Sequence, residues 1–421
     1  MTEDFLYYIW QFKLFDNPLF TWDGEEVFVE KPGLRNVNAG PDFLNASLKI
    51  GNISWHGNVE IHVKTSDWHL HGHDHDPNYE NLILHVVYHH DTDAMPHDCP
   101  LVELNQKIPL SLFENYKNLQ QTTQFIPCEN LFHTVDGFTK SSFLEALYIQ
   151  RLEERSRMLE QRLERLNGDW EALMFERIAY VFGLKVNADA FEMLAKSFPF
   201  KNLQEINRKA ENMEAFLFGQ AGYLNEPTDE YHQMLSNEYQ FLKHKYNLKA
   251  LENHHFKLLR LRPPNFPTIR ISQLSSLYAD EVNLFSKIMG AKSLNQLNDI
   301  FQKVKASTYW NTHYTFGNLA KTNTEKCLTQ QRIQLIILNA VVPIKYLYAK
   351  KYGADNIEDL LDIVREIKPE NNSIIKSFKQ IGANIKDALD SQAYLELKKH
   401  YCDSKKCLNC RIGNKIIHHV R

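Results

Sequence analysis

The sequence predicts an α+β fold in which a small mixed sheet domain is followed by a large helical region and a cysteine-containing tail. Segments that alternate apolar and polar residues are confined to about the first 105 residues, whereas helical spacing dominates after Pro127. Three of the six cysteines lie in the last twenty residues. A chain of 421 residues is expected to form two or three domains. We place a mixed domain at residues 1–125, a helical region at 126–395 and the tail at 396–421.

The mixed domain is predicted to contain one helix and five strands. Its N-terminal segment has apolar residues at the i, i+3, i+4 and i+7 positions of an amphipathic helix, namely Phe5, Tyr8, Ile9 and Phe12. Thr2 is a suitable N-cap for this helix. Alternation predicts strands at residues 26–29, 44–50, 53–63, 82–88 and 101–104.

The helical region is predicted from apolar residues at helical spacing between charged surfaces. The predicted helices are residues 141–167, 170–182, 188–196, 213–219, 231–246, 272–278, 328–351, 357–367, 374–381 and 383–400. The longest apolar run, residues 333–344, is shorter than the ~20 residues of a membrane span, so we expect a buried helix there. The N-terminal residues lack the pattern of a signal peptide. We therefore expect a cytoplasmic protein with no membrane segment.

One part of the predicted sheet holds most of the side chains that could perform chemistry. Ten of the 19 histidines fall within residues 56–97. Asp42 lies at the mouth of a predicted strand, and alternation places Glu60, His62 and Lys64 on one face of the next strand. Asp42 and Glu60 are suitable oxygen ligands for Mg²⁺ or Mn²⁺, while His62 or Lys64 would position or activate water.

A histidine-rich run follows this strand. His71 and His73 alternate onto one side if the backbone is extended, and Asp67, Asp76 and His85 are near in sequence. The order His-x-His-x-His-Asp differs from the His-x-His-x-Asp-His signature of metallo-β-lactamase-fold hydrolases, so we exclude that fold. The run is a candidate set of metal ligands, and the alternative is a solvated histidine-rich loop.

Residues 259–270 interrupt the helical region with three prolines, which predict an extended strip rather than a helix. Arg260, Arg262 and Arg270 on such a strip are suited to contact the phosphates of a nucleic acid. The alternative is a rigid linker whose arginines pair with helix carboxylates. Residues 397–421 add seven Lys or Arg against one acid, which suits an anionic partner or a solvated tail.

The tail contains the most specific metal signal of the chain. Cys402-x4-Cys407-x2-Cys410 offers three thiolates, and the surrounding lysines are expected to lower the thiol pKa values. The site would hold Zn²⁺ or a [4Fe–4S] cluster, with three free thiols as the alternative. Candidate fourth ligands are His400, Cys327, His418 and His419. The remaining cysteines, Cys99, Cys128 and Cys327, are expected to be isolated and buried.

Pro41-Asp42 followed by Glu60-x-His62 resembles the motif of the PD-(D/E)xK nuclease superfamily. This resemblance implies a helix, a three-stranded meander that carries the two acids, a second helix and a further strand. It also implies a metal-dependent phosphodiesterase site. His62 stands where the superfamily has lysine, and Lys64 is the candidate replacement. Some members of the superfamily clamp their domain with a C-terminal cysteine cluster.

Six segments together resemble a bacterial family found mostly in Bacteroidetes, domain-of-unknown-function family 2851. The segments are residues 40–43, 57–62, 66–68, 71–73, 265–270 and 407–414. The resemblance runs from end to end of the chain and implies no activity.

Taken together, the residues predict a metal-dependent nuclease or another phosphodiesterase that processes nucleic acid. One alternative is a non-catalytic binding or scaffold protein with a structural metal site, in which internal ion pairs would occupy the carboxylates. A third possibility is hydrolysis of another substrate at a His/Asp metal centre, for which His71, His73 and His85 would have to converge.

Overall fold

The computed structural model describes residues 1–73, 76–92, 98–206, 209–353 and 357–418. The chain divides into two compact units. The first unit contains Met1–Phe143, Lys376–Ala383 and Leu395–Arg421, and the second contains Leu144–Ile375 and Asn384–Tyr394. The C-terminal cysteine segment therefore belongs to the same unit as the N-terminal sheet.

The described residues of the first unit form a seven-stranded sheet with helices packed on it. The elements up to the end of the sheet are α1 (Glu3–Gln11), β1 (Leu19–Phe20), β2 (Glu26–Lys31), β3 (Leu34–Arg35), β4 (Phe43–Ile50), β5 (Ile53–Lys64), α2 (Asp67–Leu70), β6 (Leu82–His89) and β7 (Leu101–Glu103). Helix α3 (Leu110–Gln121) follows the sheet.

The sheet is mixed, and its direction of pairing changes at β5. The strand order is β1-β2-β4-β5-β6-β7, and β3 pairs with β4. The pairs up to β4·β5 are antiparallel, whereas β5·β6 and β6·β7 are parallel. Parallel neighbours need a crossover connection, which begins here with α2. Strand β5 is thus flanked by an antiparallel and a parallel neighbour.

The predicted mixed architecture and its five strands are confirmed. Thr2 is the N-cap of α1, and its side chain accepts a hydrogen bond from the Phe5 N–H at 3.4 Å. Strands β1 and β3 were not predicted, because two residues are too few to show alternation.

The hydrophobic core beneath the sheet begins with α1, which packs on β5. Phe5 and Trp10 are fully buried. Phe5 stacks on Tyr116 of α3 with ring centroids 4.7 Å apart, and Trp10 Nε1 donates to the Pro32 carbonyl at 3.0 Å. Burial of such a side chain contributes about 1.5–3 kcal/mol, so α1 anchors the strand that carries Glu60 and His62.

Helices dominate the rest of the chain. Their bounds are α4 (Gly137–Arg165), α5 (Trp170–Phe182), α6 (Leu184–Lys196), α7 (Phe200–Glu205), α8 (Ala210–Gln220), α9 (Glu230–Lys245), α10 (Pro267–Asp280), α11 (Leu284–Gly290), α12 (Leu294–Phe301), α13 (Gln330–Ile336), α14 (Val342–Tyr352), α15 (Ile357–Arg365), α16 (Ser373–Gln380), α17 (Ala388–Leu397) and α18 (Arg411–Ile417). A short hairpin, β8 (His313–Thr315) and β9 (Asn318–Leu319), lies between α12 and α13.

The predicted extended strip at residues 259–270 is wrong in its last part. Pro263–Asn265 forms a 3₁₀ turn, and helix α10 begins at Pro267 rather than after Arg270. Proline is accommodated in the first turn of a helix because the N–H that it lacks would have no partner within the helix there. The three prolines therefore mark the start of a helix instead of excluding one.

The predicted helix at residues 328–351 is present but not uniform. Helices α13 and α14 are joined by the π-helical turn Ile337–Val341, which ends two residues before Pro343. A proline within a helix removes one backbone hydrogen bond, and a wider turn accommodates the change. Among the described residues, Gln330–Tyr352 is long and apolar enough to cross a membrane by length and composition, and 72% of its most apolar window is buried within the protein. This agrees with the predicted buried helix.

In the second unit, α8 and α9 cross at Gly219 without space for a side chain. A Cβ at Gly219 would lie 2.0 Å from the ring of Tyr239, which is 3% exposed.

We expect Gly219→Ala to lower the free energy of unfolding by roughly 1–3 kcal/mol, because the ring has to move within a packed core. Chemical denaturation followed by circular dichroism measures the change. Gly290→Ala is the matched control, since nothing lies within 4 Å of its added methyl group. Equal stability of the two variants would contradict this interpretation.

Candidate metal centre

Asp42 and Glu60 lie side by side at the end of the β4·β5 pair where β4 begins. The backbone ladder pairs Phe43 with Val59, and side chains continue the hydrogen bonding beyond this pair. The Asp42 N–H donates to Glu60 Oε2 at 3.0 Å, and the Ile61 N–H donates to Asp42 Oδ2 at 3.0 Å. The two carboxyl groups therefore occupy the same end of the β4·β5 pair.

Asp42 is held by several groups of the protein. Arg35 Nη1 donates to Asp42 Oδ1 at 2.9 Å. The Arg35 guanidinium lies 3.7 Å from the ring centroid of Tyr7, whose side chain also hydrogen-bonds Asp42. Burial raises the pKa of Asp42, while the Arg35 charge and the Ile61 N–H oppose this rise. Both oxygens of Asp42 are thus engaged within the protein.

Glu60 is buried beside Asp42, with one oxygen directed at a group of histidines. Burial raises the pKa of Glu60 to about 9, and the neighbouring Asp42 charge adds to the increase. Glu60 Oε1 lies 3.4 Å from His62 Nε2 and 3.2 Å from His73 Nε2. A carboxyl group in such surroundings favours a proton or a cation at this oxygen.

The imidazole of His62 lies between two other imidazoles. His62 Nδ1 is 2.9 Å from Nε2 of His85, which is fully buried on β6. His62 Nε2 is 3.1 Å from His71 Nδ1. A histidine that binds a metal through one nitrogen commonly donates its other N–H to a buried acceptor, which fixes the orientation of the ring. His85 occupies the position of that acceptor.

Three histidines converge beside Glu60. One ring nitrogen from each of His62, His71 and His73 lies within 4.8 Å of the other two. Three of the separations among these nitrogens and Glu60 Oε1 are 3.1, 3.2 and 3.4 Å. A tetrahedral Zn²⁺ with bonds of about 2.0–2.1 Å keeps its ligand atoms about 3.4 Å apart. The three imidazoles therefore suit a divalent transition metal, and Glu60 Oε1 lies beside two of them.

Aromatic side chains form the wall of this group of residues. The ring centroid of Trp68, on α2, lies 5.2 Å from that of His73 and 5.4 Å from that of His85. Tyr79 also packs on His73, with ring centroids 4.2 Å apart, and its ring centroid lies 5.5 Å from that of Trp68. Gly57 allows the two parallel strands to meet, since a Cβ there would lie 2.5 Å from the Ile83 side chain.

The side chains at the edge of the group show where it meets solvent. Lys64, the predicted replacement for the nuclease lysine, has 55% of its side chain exposed and lies 3.6 Å from Asp91 Oδ2. His71 is exposed and His73 is half-buried, whereas His62 is only 1% exposed. A substrate would therefore approach from the side of His71 and His73.

The three predicted phosphate-binding arginines lie in the second unit and differ in exposure. Arg260 and Arg262 are exposed. Arg270 is 5% exposed, and its guanidinium donates to Gln273 Oε1 at 2.5 Å and to Asn265 Oδ1 at 2.7 Å. Arg270 is therefore a buried helix residue and is not offered to a phosphate, which corrects its assignment to an extended basic strip.

The three tail cysteines lie in the first unit. Cys407 and Cys410 are buried, and Cys402 is half-buried. The predicted direction of their pKa shift is wrong, because burial raises the pKa of Cys407 to about 12 and that of Cys410 to about 11. Lys405 opposes the increase at Cys407 but does not reverse it.

Two of the predicted fourth ligands hydrogen-bond or pair elsewhere. His418 Nε2 is 2.8 Å from the Tyr8 hydroxyl, and His400 Nε2 is 3.2 Å from Glu396 Oε1. A third candidate, His419, lies outside the described residues.

The remaining cysteines differ from the expectation that they are isolated and buried. Cys327 is exposed and belongs to the second unit, so the prediction of burial is wrong for it. Cys99 is only half-buried. Cys128 is buried as predicted, and it immediately precedes the 3₁₀ helix Glu129–Thr134, which packs against α18.

Sequence reasoning missed two residues that shape the carboxylate end of the site. Tyr7 lies within the predicted first helix but outside its apolar stripe, and Arg35 lies between the predicted strands 26–29 and 44–50. Arg35 lies seven residues before Asp42, a spacing that belongs to no recognised motif. Its pairing depends on β3 folding back onto β4, which two residues of alternation cannot indicate.

The chain belongs to the family described as protein of unknown function (DUF2851), whose family model matches residues 3–373. No curated protein and no solved structure matches the chain significantly.

His85 provides a test of the metal centre that leaves its ligand atoms unchanged. We expect His85→Leu to weaken binding of Zn²⁺ or Mn²⁺ about 10–100-fold, because His62 loses the partner that orients its ring. Calorimetric titration of the metal-free protein measures the affinity. His85→Gln, which places an amide near the same position, is expected to recover part of it.

His89→Ala is the control for this substitution, since His89 lies on the same strand with 52% of its side chain exposed. The metal centre would be refuted if the wild-type protein bound no divalent metal. The orienting role of His85 would be refuted if His85→Leu, folded as judged by circular dichroism, bound metal as tightly as His89→Ala.

Proposed function

We propose that the protein is a metal-dependent hydrolase that cleaves phosphodiester bonds, with nucleic acid as the substrate class. The observation that carries this proposal is the convergence of three imidazole nitrogens within 4.8 Å of one another beside the buried Glu60 carboxyl group. His71 and His73 form part of this group with His62, and His85 supports it from behind. The candidate metal ligands are therefore mostly imidazoles, whereas the sequence indicated mainly a pair of carboxylates.

The ligand set indicates which ion the site would take. His62, His71, His73 and Glu60 would hold it, and imidazole favours Zn²⁺, Fe²⁺ or Mn²⁺ more than Mg²⁺. When bound, a divalent ion supplies Lewis acidity toward a phosphoryl oxygen and lowers the pKa of a coordinated water. Asp42 contributes by holding Glu60 in place through its backbone N–H.

The protein groups have separate roles in this proposal. His62 is enclosed and held by His85, so its role is that of a fixed ligand rather than a mobile base. Lys64 pairs with Asp91, and 55% of its side chain is exposed to solvent. It therefore remains a candidate for contact with a phosphate at the edge of the site. His71, which is exposed, is the imidazole nearest to an incoming substrate.

The order of elements supports a phosphodiester as the substrate. Helix α1, the antiparallel strands β2, β4 and β5, the short helix α2 and the parallel strand β6 follow one another in the order that the nuclease resemblance implies. Asp42 and Glu60 lie at one end of the β4·β5 pair.

A non-catalytic metal-binding or scaffold protein is the second candidate, and one observation favours it. Arg35, Tyr7 and the Ile61 N–H satisfy the Asp42 carboxylate, so this acid is already occupied within the protein. In a nuclease of the two-carboxylate type, both acids would be available to the metal. The two candidates differ in whether bound metal is accompanied by cleavage.

Metal-dependent cleavage of labelled single- and double-stranded DNA and RNA decides between these functions. We expect cleavage with Mn²⁺ or Zn²⁺ that is abolished by chelation. Glu60→Gln is expected to lower the rate by roughly 100-fold or more, because the loss of a charged ligand removes several kcal/mol of transition-state stabilisation.

Glu26→Gln is the matched control, because Glu26 is an exposed carboxylate on β2 of the same sheet. Activity that survives in Glu60→Gln would point to a contaminating nuclease and refute the proposal. Metal bound by His62, His71 and His73 without cleavage of any nucleic acid would favour the binding protein.

A further inference from the structure

The C-terminal cysteines lie on consecutive turns of the first unit. Cys402 is the last residue of the π-helical turn Lys398–Cys402 that follows α17. Cys407 begins a 3₁₀ turn, and Cys410 is the N-cap of α18. The three turns contact one another, and Cys407 and Cys410 are each 6% exposed.

A fourth cysteine reaches the same region from a distant part of the sequence. Cys128 immediately precedes the 3₁₀ helix Glu129–Thr134, which packs against α18. The charges of Cys407 and Cys410 act on the Cys128 thiol, and the charge of Cys128 acts on that of Cys402. The four cysteines therefore lie on turns that contact one another, although Cys402 follows Cys128 by 274 positions in the sequence.

The backbone around the cluster provides hydrogen bonds to sulfur. The Gly413 N–H donates to Cys410 Sγ at 3.5 Å, and the Ile412 N–H also stabilises the Cys410 thiolate. Gly413 has no space for a side chain, since a Cβ would lie 2.4 Å from the Cys407 carbonyl oxygen. Hydrogen bonds of this kind tune the sulfur ligands of iron–sulfur clusters.

Lysines surround the cluster and complement the charge of a metal–thiolate complex. Lys140, Lys398 and Lys405 act on the thiols of Cys128, Cys402 and Cys407, respectively. Four thiolates around Zn²⁺ or a [4Fe–4S]²⁺ core leave a net charge of about −2. Since all six cysteines are free of disulfides, the four thiols are available as ligands.

We propose that Cys128, Cys402, Cys407 and Cys410 bind a [4Fe–4S] cluster that ties the C-terminal segment to the chain at residue 128. Spacing favours a cluster over a single ion. A Zn²⁺ with bonds of about 2.3 Å brings four sulfurs to within about 3.8 Å of one another. Among the described residues, the groups of potential ligand atoms that lie mutually within 4.8 Å contain no cysteine. A [4Fe–4S] core keeps its thiolates farther apart, because each binds a different iron.

The test is metal and sulfide analysis of the full-length protein purified without oxygen. We expect about four iron atoms and four acid-labile sulfides per chain, with the broad visible absorption of a cluster. Cys128→Ser is expected to reduce iron to below about one atom per chain, because the cluster loses one of its four ligands. Cys99→Ser is the matched control, since Cys99 is half-buried in the same unit and outside the cluster.

A second measurement identifies the ligands in the wild-type protein and needs no substituted variant. Cysteine alkylation of the wild-type protein, read by mass spectrometry, is compared before and after removal of iron. We expect the four cluster cysteines to react only after iron is removed, whereas exposed Cys327 reacts in both states. One Zn²⁺ per chain without sulfide would overturn the iron–sulfur assignment. Metal-free native protein, or full iron content in folded Cys128→Ser, would overturn the site itself.

Discussion

The structure of the candidate metal centre depends on one buried imidazole. His62 lies on β5 at the point where the sheet changes from antiparallel to parallel pairing, and each of its ring nitrogens faces another histidine. A buried polar group without partners would cost about 1–3 kcal/mol, so His62 requires both neighbours. The parallel register supplies His85 from β6. The crossover beginning with α2 supplies His71.

The imidazole-rich ligand set changes how the carboxylates should be understood. Glu60 has one oxygen bonded to the Asp42 N–H and the other directed at His62 and His73, so it links the two halves of the site. Asp42, in contrast, is enclosed by Arg35 and Tyr7. The two acids therefore play unequal parts, in which Glu60 faces the candidate ion and Asp42 organises the strand end behind it.

Much of the first unit could be predicted from the sequence, because alternation and helical spacing are local properties. The strands that carry Glu60, His62 and His85 were predicted to within about two residues. Local pattern also indicated that Glu60 and His62 share a face. It could not indicate that His71 and His73 fold back onto that face, since this depends on the short helix α2 and the packing of Trp68.

Residues that are distant in sequence were harder to predict. Cys128 had no neighbouring cysteine in the sequence and was interpreted as a small buried residue, although it lies with three cysteines from the other end of the chain. Pro267 was interpreted as excluding a helix, because a single proline does not reveal whether it lies in the first turn or in the interior. In both cases the deciding information was tertiary.

The division of the chain into two units also constrains the order in which the protein can fold during synthesis. The first unit includes Leu395–Arg421, and within it Tyr8 hydrogen-bonds His418 across 410 residues of sequence. Domains generally fold in the order in which they leave the ribosome. Here the N-terminal sheet emerges first, and α18 of the same unit emerges only after the second unit has all of its segments at Tyr394. The nascent first unit therefore lacks α18, which packs on α3, throughout synthesis of the second unit.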